Sequence, residues 1–385
     1  MDNEANAKAP GKILWLGGYS VLERPNISFV TAVDAYVHAN VKLVEGNKIV
    51  IEVPQLNANV SGTIDLNTGD LSVEVPKELV LLKTSVEVAS RYAASKGAKL
   101  SGMRIKTQND SAFSYTVTGG KVVKSGLGSS AAVTVASIAA VLKAYGISGL
   151  ENDALHKLAQ VAHSIATGKV GSGFDIAAAS HGTILYNRYS PSIVKDFPAT
   201  YQNADLQDLI KKPWDYKIEK FSLPNMFALT FANFLGEGMV TTTAVGSVSK
   251  FKEKDPLKYK ELIYDINKEN ERAVMALRAL NKGEDVSNNL EVFRDAFNKG
   301  RLLTKHLGVL SNVDIEDDDL TKLIEESASN GAFVAKLPGA GGRDSIAALS
   351  LNSEARRLVD FWKTRKGLGV IGIKIVNDGT ISDMK

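Results

Sequence analysis

The residues Ser129–Ala144 constrain the fold of this chain more than any other stretch of its sequence. Alanine, valine and leucine dominate the stretch, and no polar face interrupts them. A helix of this composition is buried on most of its sides, because a surface helix keeps one polar face for water. We therefore expect a helix whose N-terminus lies inside the protein, with other elements packed around it.

A glycine-rich segment leads directly into this helix and consists of Lys124, Ser125, Gly126, Leu127, Gly128, Ser129, Ser130 and Ala131. Glycines let the backbone approach an anion closely, and the unpaired N–H groups of a first helical turn point towards it. A plain glycine turn with Ser129 as the N-cap is the alternative, and the short match alone leaves the two about even. The buried helix and the second serine favour an anion site. No lysine follows the last glycine, so the segment does not have the Walker pattern.

Length and composition restrict the class of protein. A chain of 385 residues favours two packed domains over one. A net charge of +3 that is spread along the sequence argues against a nucleic-acid partner. The absence of cysteine excludes disulfides and thiolate chemistry, and five histidines without a closely spaced pair make a transition-metal site improbable. The polar N-terminus and the lack of a long apolar run predict no membrane role and a cytoplasmic protein.

The order of the predicted elements indicates an α+β protein with two domains. Apolar runs between glycine, proline and asparagine predict strands at residues 13–16, 27–43, 48–53, 103–107 and 182–189. Helical spacing predicts helices at residues 80–95, 152–167, 256–281 and 287–307. The polar segment 190–213 indicates a connector, and the chain ends with a helix, two strands, a helix and a strand between residues 319 and 376. We therefore predict one domain at residues 1–213 and a second at residues 214–385.

Three ordered motifs across nearly the whole chain resemble those of the GHMP kinase superfamily. The segment 124–131 resembles the nucleotide loop of that family. Residues 8–12 (Lys-Ala-Pro-Gly-Lys), continued by residues 17–22 (Gly-Gly-Tyr-Ser-Val-Leu), resemble its N-terminal motif. Residues 336–342 (Lys-Leu-Pro-Gly-Ala-Gly-Gly) resemble its C-terminal glycine motif. The resemblance implies an N-terminal domain that carries the phosphate loop, a ferredoxin-like C-terminal domain, and transfer of a phosphoryl group from ATP with Mg²⁺ to a small molecule.

Within that superfamily, two details favour the phosphomevalonate kinase branch. Mevalonate kinases usually carry glutamate where this chain has Gly18, and the run from Gly168 to Ala179 is the closest match to the phosphomevalonate branch. Arg343 and Ser345 depart from the pattern, because glycine and cysteine are more usual there. The resemblance thus implies phosphomevalonate as the acceptor. The alternatives are mevalonate kinase, diphosphomevalonate decarboxylase and a non-catalytic regulator that binds nucleotide.

The resemblance also implies roles for individual residues. Lys12 and Asp175 are the implied catalytic pair, although in isolation a surface lysine and a helix N-cap are the simpler interpretations. The implied nucleotide contacts are the residues of segment 124–131 together with Gly339, Ala340, Gly341 and Gly342. Ser130 is the implied Mg²⁺ ligand. The candidates for binding the acceptor are Lys8, Lys12, Tyr19, Ser20, Ser172 and Asp175.

Overall fold

The structure is a computed structural model that describes residues 4–116, 122–147, 149, 151–198, 200–236 and 241–384. Its strands are β1 (Glu4–Leu16), β2 (Ile27–Val44), β3 (Lys48–Val53), β4 (Ala58–Ile64), β5 (Leu71–Ser72), β6 (Gly102–Asn109), β7 (Ser114–Thr116), β8 (Val122–Lys124), β9 (Ile184–Asn187), β10 (Lys217–Lys220), β11 (Phe227–Phe234), β12 (Val334–Lys336), β13 (Ser345–Leu351), β14 (Leu368–Ile371), β15 (Ile375–Val376) and β16 (Ile381–Met384).

The helices are α1 (Val80–Ser95), α2 (Ser129–Ala144), α3 (Asn152–Thr167), α4 (Phe174–His181), α5 (Ser192–Lys195), α6 (Asn203–Lys211), α7 (Thr241–Lys254), α8 (Pro256–Lys282), α9 (Val286–Ser311), α10 (Asp318–Ser329) and α11 (Ala355–Thr364). The predicted bounds of α1, α2 and α3 are confirmed. Within the described residues, no helix combines the length and the apolar composition that crossing a bilayer requires.

The first sheet contains ten strands around the long strand β2. One edge of β2 pairs with β1 along most of its length, and the other edge pairs with β9, β15 and β6 in turn. The strands β3, β4 and β5 extend the sheet beyond β6, and only the β3–β6 pair is parallel among its described pairs. Helix α2 packs against β1 and β2 and is covered by α1, α3 and α4, so its predicted burial is confirmed.

The second sheet has the strand order β12-β13-β11-β14 and is antiparallel throughout. Together with its helices this order is the ferredoxin-like βαββαβ arrangement, as expected. A small apolar core that contains Trp362 and Ile346 fills the space between this sheet and the helices α10 and α11. The long helices α8 and α9 pack against each other, and Phe293 of α9 stacks on Phe333 beside the sheet.

The predicted division at residues 213 and 214 does not coincide with the two sheets. Strand β10 pairs with β9, and β15 and β16 near the end of the chain pair with β2 and β1. The C-terminal part of the chain therefore contributes three strands to the first sheet. The predicted connector at residues 190–213 also contains α6, where the side chains of Gln202 and Asp205 form a capping box.

Candidate active site

A cavity of about 800 Å³ lies where the three sequence motifs meet. This volume is within the usual range for sites that hold a small ligand. Most of the residues singled out from the sequence line it, namely Lys12, Tyr19, Lys124, Gly126, Leu127, Gly128, Ser129, Ser130, Ser172, Asp175, Gly339 and Ala340. Motifs that are more than 300 residues apart in the chain thus line one continuous cavity.

The glycine loop bends over the side chain of Lys12. Gly126 and Gly128 have positive φ angles of 72° and 81°, and α2 begins at the next residue, Ser129. A Cβ atom on Gly128 would lie 2.9 Å from Cε of Lys12, which is closer than such atoms normally approach. Only glycine combines this backbone angle with the space that the lysine needs.

Lys12 is almost fully buried, and its ammonium donates a hydrogen bond to the carbonyl oxygen of Gly126 at 2.7 Å. Burial lowers the pKa of Lys12, and the nearby carboxylates of Asp175 and Asp344 act in the opposite direction. The backbone N–H of Lys12 donates to the carbonyl oxygen of Leu127 at 2.9 Å. Strand β1 and the glycine loop are therefore fastened together at the residue that carries the cation.

Asp175 lies in the first turn of α4, and its Oδ1 accepts the N–H of Ile176 at 2.9 Å. The preceding loop is tightly held. Tyr186 donates its hydroxyl hydrogen to the carbonyl oxygen of Ser172 at 3.0 Å, and Gln160 donates its amide to that of Gly173 at 2.9 Å. The N-cap of α4 is Gly173, so Asp175 does not have the capping role that was its alternative interpretation.

Asp344 is a second carboxylate of the cavity that the sequence interpretation did not select. It follows the C-terminal glycine motif after Arg343, and it is half-buried beside Lys12. Burial raises the pKa of Asp344, and the positive charge of Lys12 partly offsets that rise. An acidic residue directly after a glycine motif that already carries a functional prediction is the signal that could have identified it.

Hydrogen bonds from two side chains, Tyr19 and Arg188, connect the motif loops to each other. The hydroxyl of Tyr19 donates to the carbonyl oxygen of Ala340 at 2.8 Å. The guanidinium of Arg188 donates to the carbonyl oxygens of Leu22, Val170 and Gly171 at 2.7–3.1 Å. The N-terminal motif is thus joined to both the C-terminal glycine motif and the loop before Asp175.

Several predicted binding residues lie outside the cavity. The ammonium of Lys8 lies over the ring of Tyr36 at 4.4 Å. The pairing of β1 with β2 changes register between Lys8 and Lys12, at Pro10 and Gly11. The buried hydroxyl of Ser20 accepts a hydrogen bond from Asn270 at 3.2 Å.

The remaining four outliers have structural contacts. Ser125 is buried and its hydroxyl accepts a hydrogen bond from Asn233 at 3.0 Å. Ala131 is buried within α2. Gly341 packs against Ile315, and the N–H of Gly342 donates to the carbonyl oxygen of Ile315 at 2.8 Å.

The donor set fits a polyphosphate better than a transition metal. The N-terminus of α2 faces the cavity together with Lys12 and Lys124, which suits a chain of phosphate groups. No group of three or more His, Cys, Asp or Glu side chains within the described ranges could hold a metal ion. Ser130, Asp175 and Asp344 line the cavity and carry oxygen donors of the kind that Mg²⁺ prefers.

Comparison with known proteins identifies the family of this chain. The model of the GHMP kinases N terminal domain matches residues 83–183, and that of the GHMP kinases C terminal matches residues 278–367. In three dimensions the chain is similar to a Streptococcus pneumoniae phosphomevalonate kinase solved in complex with phosphomevalonate and AMPPNP. The TM-score is 0.73 at 20% identity, over 96% of this chain and 99% of that one.

Two curated relatives span almost the full chain. The phosphomevalonate kinase of Saccharolobus solfataricus is 32% identical over 369 residues, which cover 95% of each chain. The peroxisomal phosphomevalonate kinase of Arabidopsis thaliana is 27% identical over 95% of this chain and 93% of its own. The protein therefore belongs to the GHMP kinases and, within them, to the phosphomevalonate kinase family.

Proposed function

We propose that this protein transfers the γ-phosphoryl group of ATP to the phosphate of phosphomevalonate and so forms diphosphomevalonate. The observation that carries the proposal is the single cavity in which Lys12, the glycine loop and Asp175 converge. The identity to named phosphomevalonate kinases over 95% of the chain supports the choice of acceptor.

ATP would bind with its phosphates at the start of α2. The N–H groups of the first helical turn and the ammonium of Lys124 supply positive charge there, and Gly339 and Ala340 face the loop from the other side. An apolar wall formed by Phe113, Val122 and Val123 is available for the base. The proposal for ATP therefore uses both predicted glycine motifs.

The transfer joins an oxygen of the acceptor phosphate to the γ-phosphorus and breaks the bond between that phosphorus and the β,γ-bridging oxygen. ADP leaves with the electron pair of that bond. Phosphoryl transfer needs positioning and charge neutralisation more than covalent help from the protein. Lys12 supplies the cation, and its stem is held in place by Gly128.

Asp175 would have a smaller role than in an alcohol kinase. A phosphate monoester has a second pKa near 6, so most of the acceptor needs no deprotonation at neutral pH. Asp175 would orient Lys12 and would take the proton of the monoanionic fraction. Mg²⁺, when bound, supplies charge neutralisation on the phosphates, and we assign its protein ligand to the hydroxyl of Ser130.

The test is ADP release with phosphomevalonate, mevalonate, homoserine and galactose offered in parallel, with the strongly impaired variant Lys12→Met as the control. Turnover with phosphomevalonate alone supports the proposal. Turnover with mevalonate or a sugar would retain the kinase site and overturn the acceptor. Binding of ATP with no turnover would favour the regulator, although the presence of both Lys12 and Asp175 argues against it. We further propose a cytoplasmic location, which imaging of a fluorescent fusion would test.

A further inference from the structure

A second, small cavity of about 40 Å³ adjoins the active site, and Gly339 lines both. Its walls come from the N-terminal motif, from the helices α8 and α9, and from the C-terminal motif. The ammonium of Lys336 lies beneath Gly18, and a Cβ atom on Gly18 would be 4.0 Å from it. The missing side chain of Gly18 therefore leaves a space directly over a cation.

The charges around this space are unbalanced. The guanidinium of Arg301 pairs with the carboxylate of Glu316, which also accepts the hydroxyl hydrogen of Thr321 at 2.8 Å. The ammonium of Lys336 donates to the carbonyl oxygen of Trp15 at 3.1 Å. No carboxylate in the described ranges approaches Lys336 within ion-pair distance, 4.0 Å. Among the described residues, Glu316 is thus paired with Arg301 and Lys336 has no ion-pair partner, whereas charges away from solvent are normally paired.

The location points to the acceptor as the source of the missing anion. Lys12 lines the active-site cavity and Lys336 lines the small cavity that shares Gly339 with it, and the positive charge of Lys12 lowers the pKa of Lys336. The acceptor's phosphate must lie beside Lys12 to receive the phosphoryl group. Its opposite end is a carboxylate, and the cavity of about 40 Å³ between Gly18 and Lys336 is the space next to the active site that offers it a cation.

We propose that Lys336 binds the carboxylate of the acceptor and that Gly18 leaves the room in which the two groups meet. This inference rests on the proposed function and adds a subsite for the end of the acceptor that does not react. It makes Lys336 a residue that determines specificity for the acceptor. It also gives a reason for glycine at position 18, because a carboxylate side chain there would bind Lys336 in place of the acceptor.

The first experiment removes in turn the ammonium of Lys336 and the carboxylate of the acceptor. Lys336→Met keeps the apolar stem and deletes the charge, and the second acceptor is a phosphomevalonate analogue with a methyl amide in place of the carboxylate. With the wild type, the analogue should raise the acceptor KM roughly 10–100-fold, since a hydrogen bond to a charged group is lost. With Lys336→Met the natural acceptor should show a similar rise, and the analogue should cause no further rise.

The control is Lys299→Met, which deletes an exposed lysine of α9 and should leave the acceptor KM unchanged. A merely structural role of Lys336 would raise the KM of ATP as well, and the analogue would still discriminate in the variant. That result would overturn the inference. A wild type that does not turn over phosphomevalonate would instead overturn the proposed function, so the two failures are distinct.

Substitutions of Gly18 test the same space without touching Lys336. The Cβ of Gly18→Ala makes only ordinary contacts, so this variant should fold and bind ATP normally. Gly18→Glu places a carboxylate over Lys336 and should raise the acceptor KM at least ~10-fold more than Gly18→Ala does. Equal KM values for the two variants would contradict the inference, even where Lys336→Met fails to fold.

The pH dependence gives an independent readout. The pKa of Lys336 is lowered to about 8, chiefly by burial; Glu316 opposes this shift and the positive charge of Lys12 adds to it. The neighbouring Arg301 stays charged throughout. We expect the acceptor KM to rise above pH 8 in the wild type, as the ammonium loses its proton. In Lys336→Arg, whose guanidinium does not titrate in this range, that rise should be absent.

Discussion

Gly128 of the glycine loop provides a test of the site. Its position requires both a positive φ angle and open space beside Lys12, and mutations can separate these two requirements. Its φ of 81° costs an alanine about 1–2 kcal/mol. Its Cβ would also lie 2.9 Å from Cε and 3.2 Å from Cγ of Lys12. Gly97 has nearly the same φ, 79°, and nothing lies within 4 Å of its Cβ position. Gly97→Ala therefore introduces the backbone strain without the clash.

We expect both Gly128→Ala and Gly97→Ala to lose about 1–2 kcal/mol of unfolding free energy in urea titrations. Only Gly128→Ala should lose activity. The stem of Lys12 must move by several tenths of an ångström, and misplacement on the scale of 1 Å costs roughly 100-fold in rate. We therefore expect kcat for ADP release to fall ~10–100-fold in Gly128→Ala and to stay near the wild-type value in Gly97→Ala. Equal kcat values in the two variants would refute the claim that Lys12 is positioned by this loop.

Three further predictions concern single groups. Asp175→Asn should lower kcat by less than about 100-fold, which is the lower end of a general base's contribution. Lys12→Met should lower kcat by ~10²–10³-fold. Equal losses of kcat in steady-state assays would show that the reaction requires Asp175 as a base. Ser130→Ala should raise the Mg²⁺ concentration needed for half-maximal rate, and an unchanged Mg²⁺ titration would contradict the assignment. Burial lowers the pKa of His181 to about 4, and that of its buried neighbour His156 also falls below its usual range. As the pH falls, the unfolded state binds these protons before the folded state does. The unfolding free energy should therefore fall from pH 6.5 towards pH 4, by roughly 2–4 kcal/mol for His181 alone. The variant His181→Gln should show a weaker dependence of the unfolding free energy on pH, and an equally steep dependence would contradict this explanation.

The helices around the site were predictable because their signals are local. The bounds of α1, α2 and α3 follow from apolar spacing, glycine ends and composition within each segment. The glycine turn before α2 was predictable for the same reason, since its glycines directly precede a helix of buried composition. The motifs then located Lys12 and Asp175 in one cavity.

The contacts that the sequence did not reveal are long-range. Three strands from the C-terminal part of the chain pair with the first sheet, namely β10, β15 and β16. Their pairing depends on which edges of β9, β2 and β1 are free, and the sequence of each strand does not show this. Lys8 was selected because it flanks Lys12, but its ammonium lies over the ring of Tyr36, outside the cavity lining. Asp344 and Lys336 acquire their environments only when the C-terminal motif folds back onto β1.

The central claim is that the accepting atom is a phosphate oxygen, and ³¹P NMR of the reaction with phosphomevalonate tests it directly. Phosphomevalonate also carries a hydroxyl, so the consumption of ATP alone does not identify the acceptor atom. We expect two new coupled doublets of a diphosphate ester, formed in equal amount to ADP and formed far more slowly with Lys12→Met. A second monoester signal, or inorganic phosphate in place of the doublets, would contradict the account.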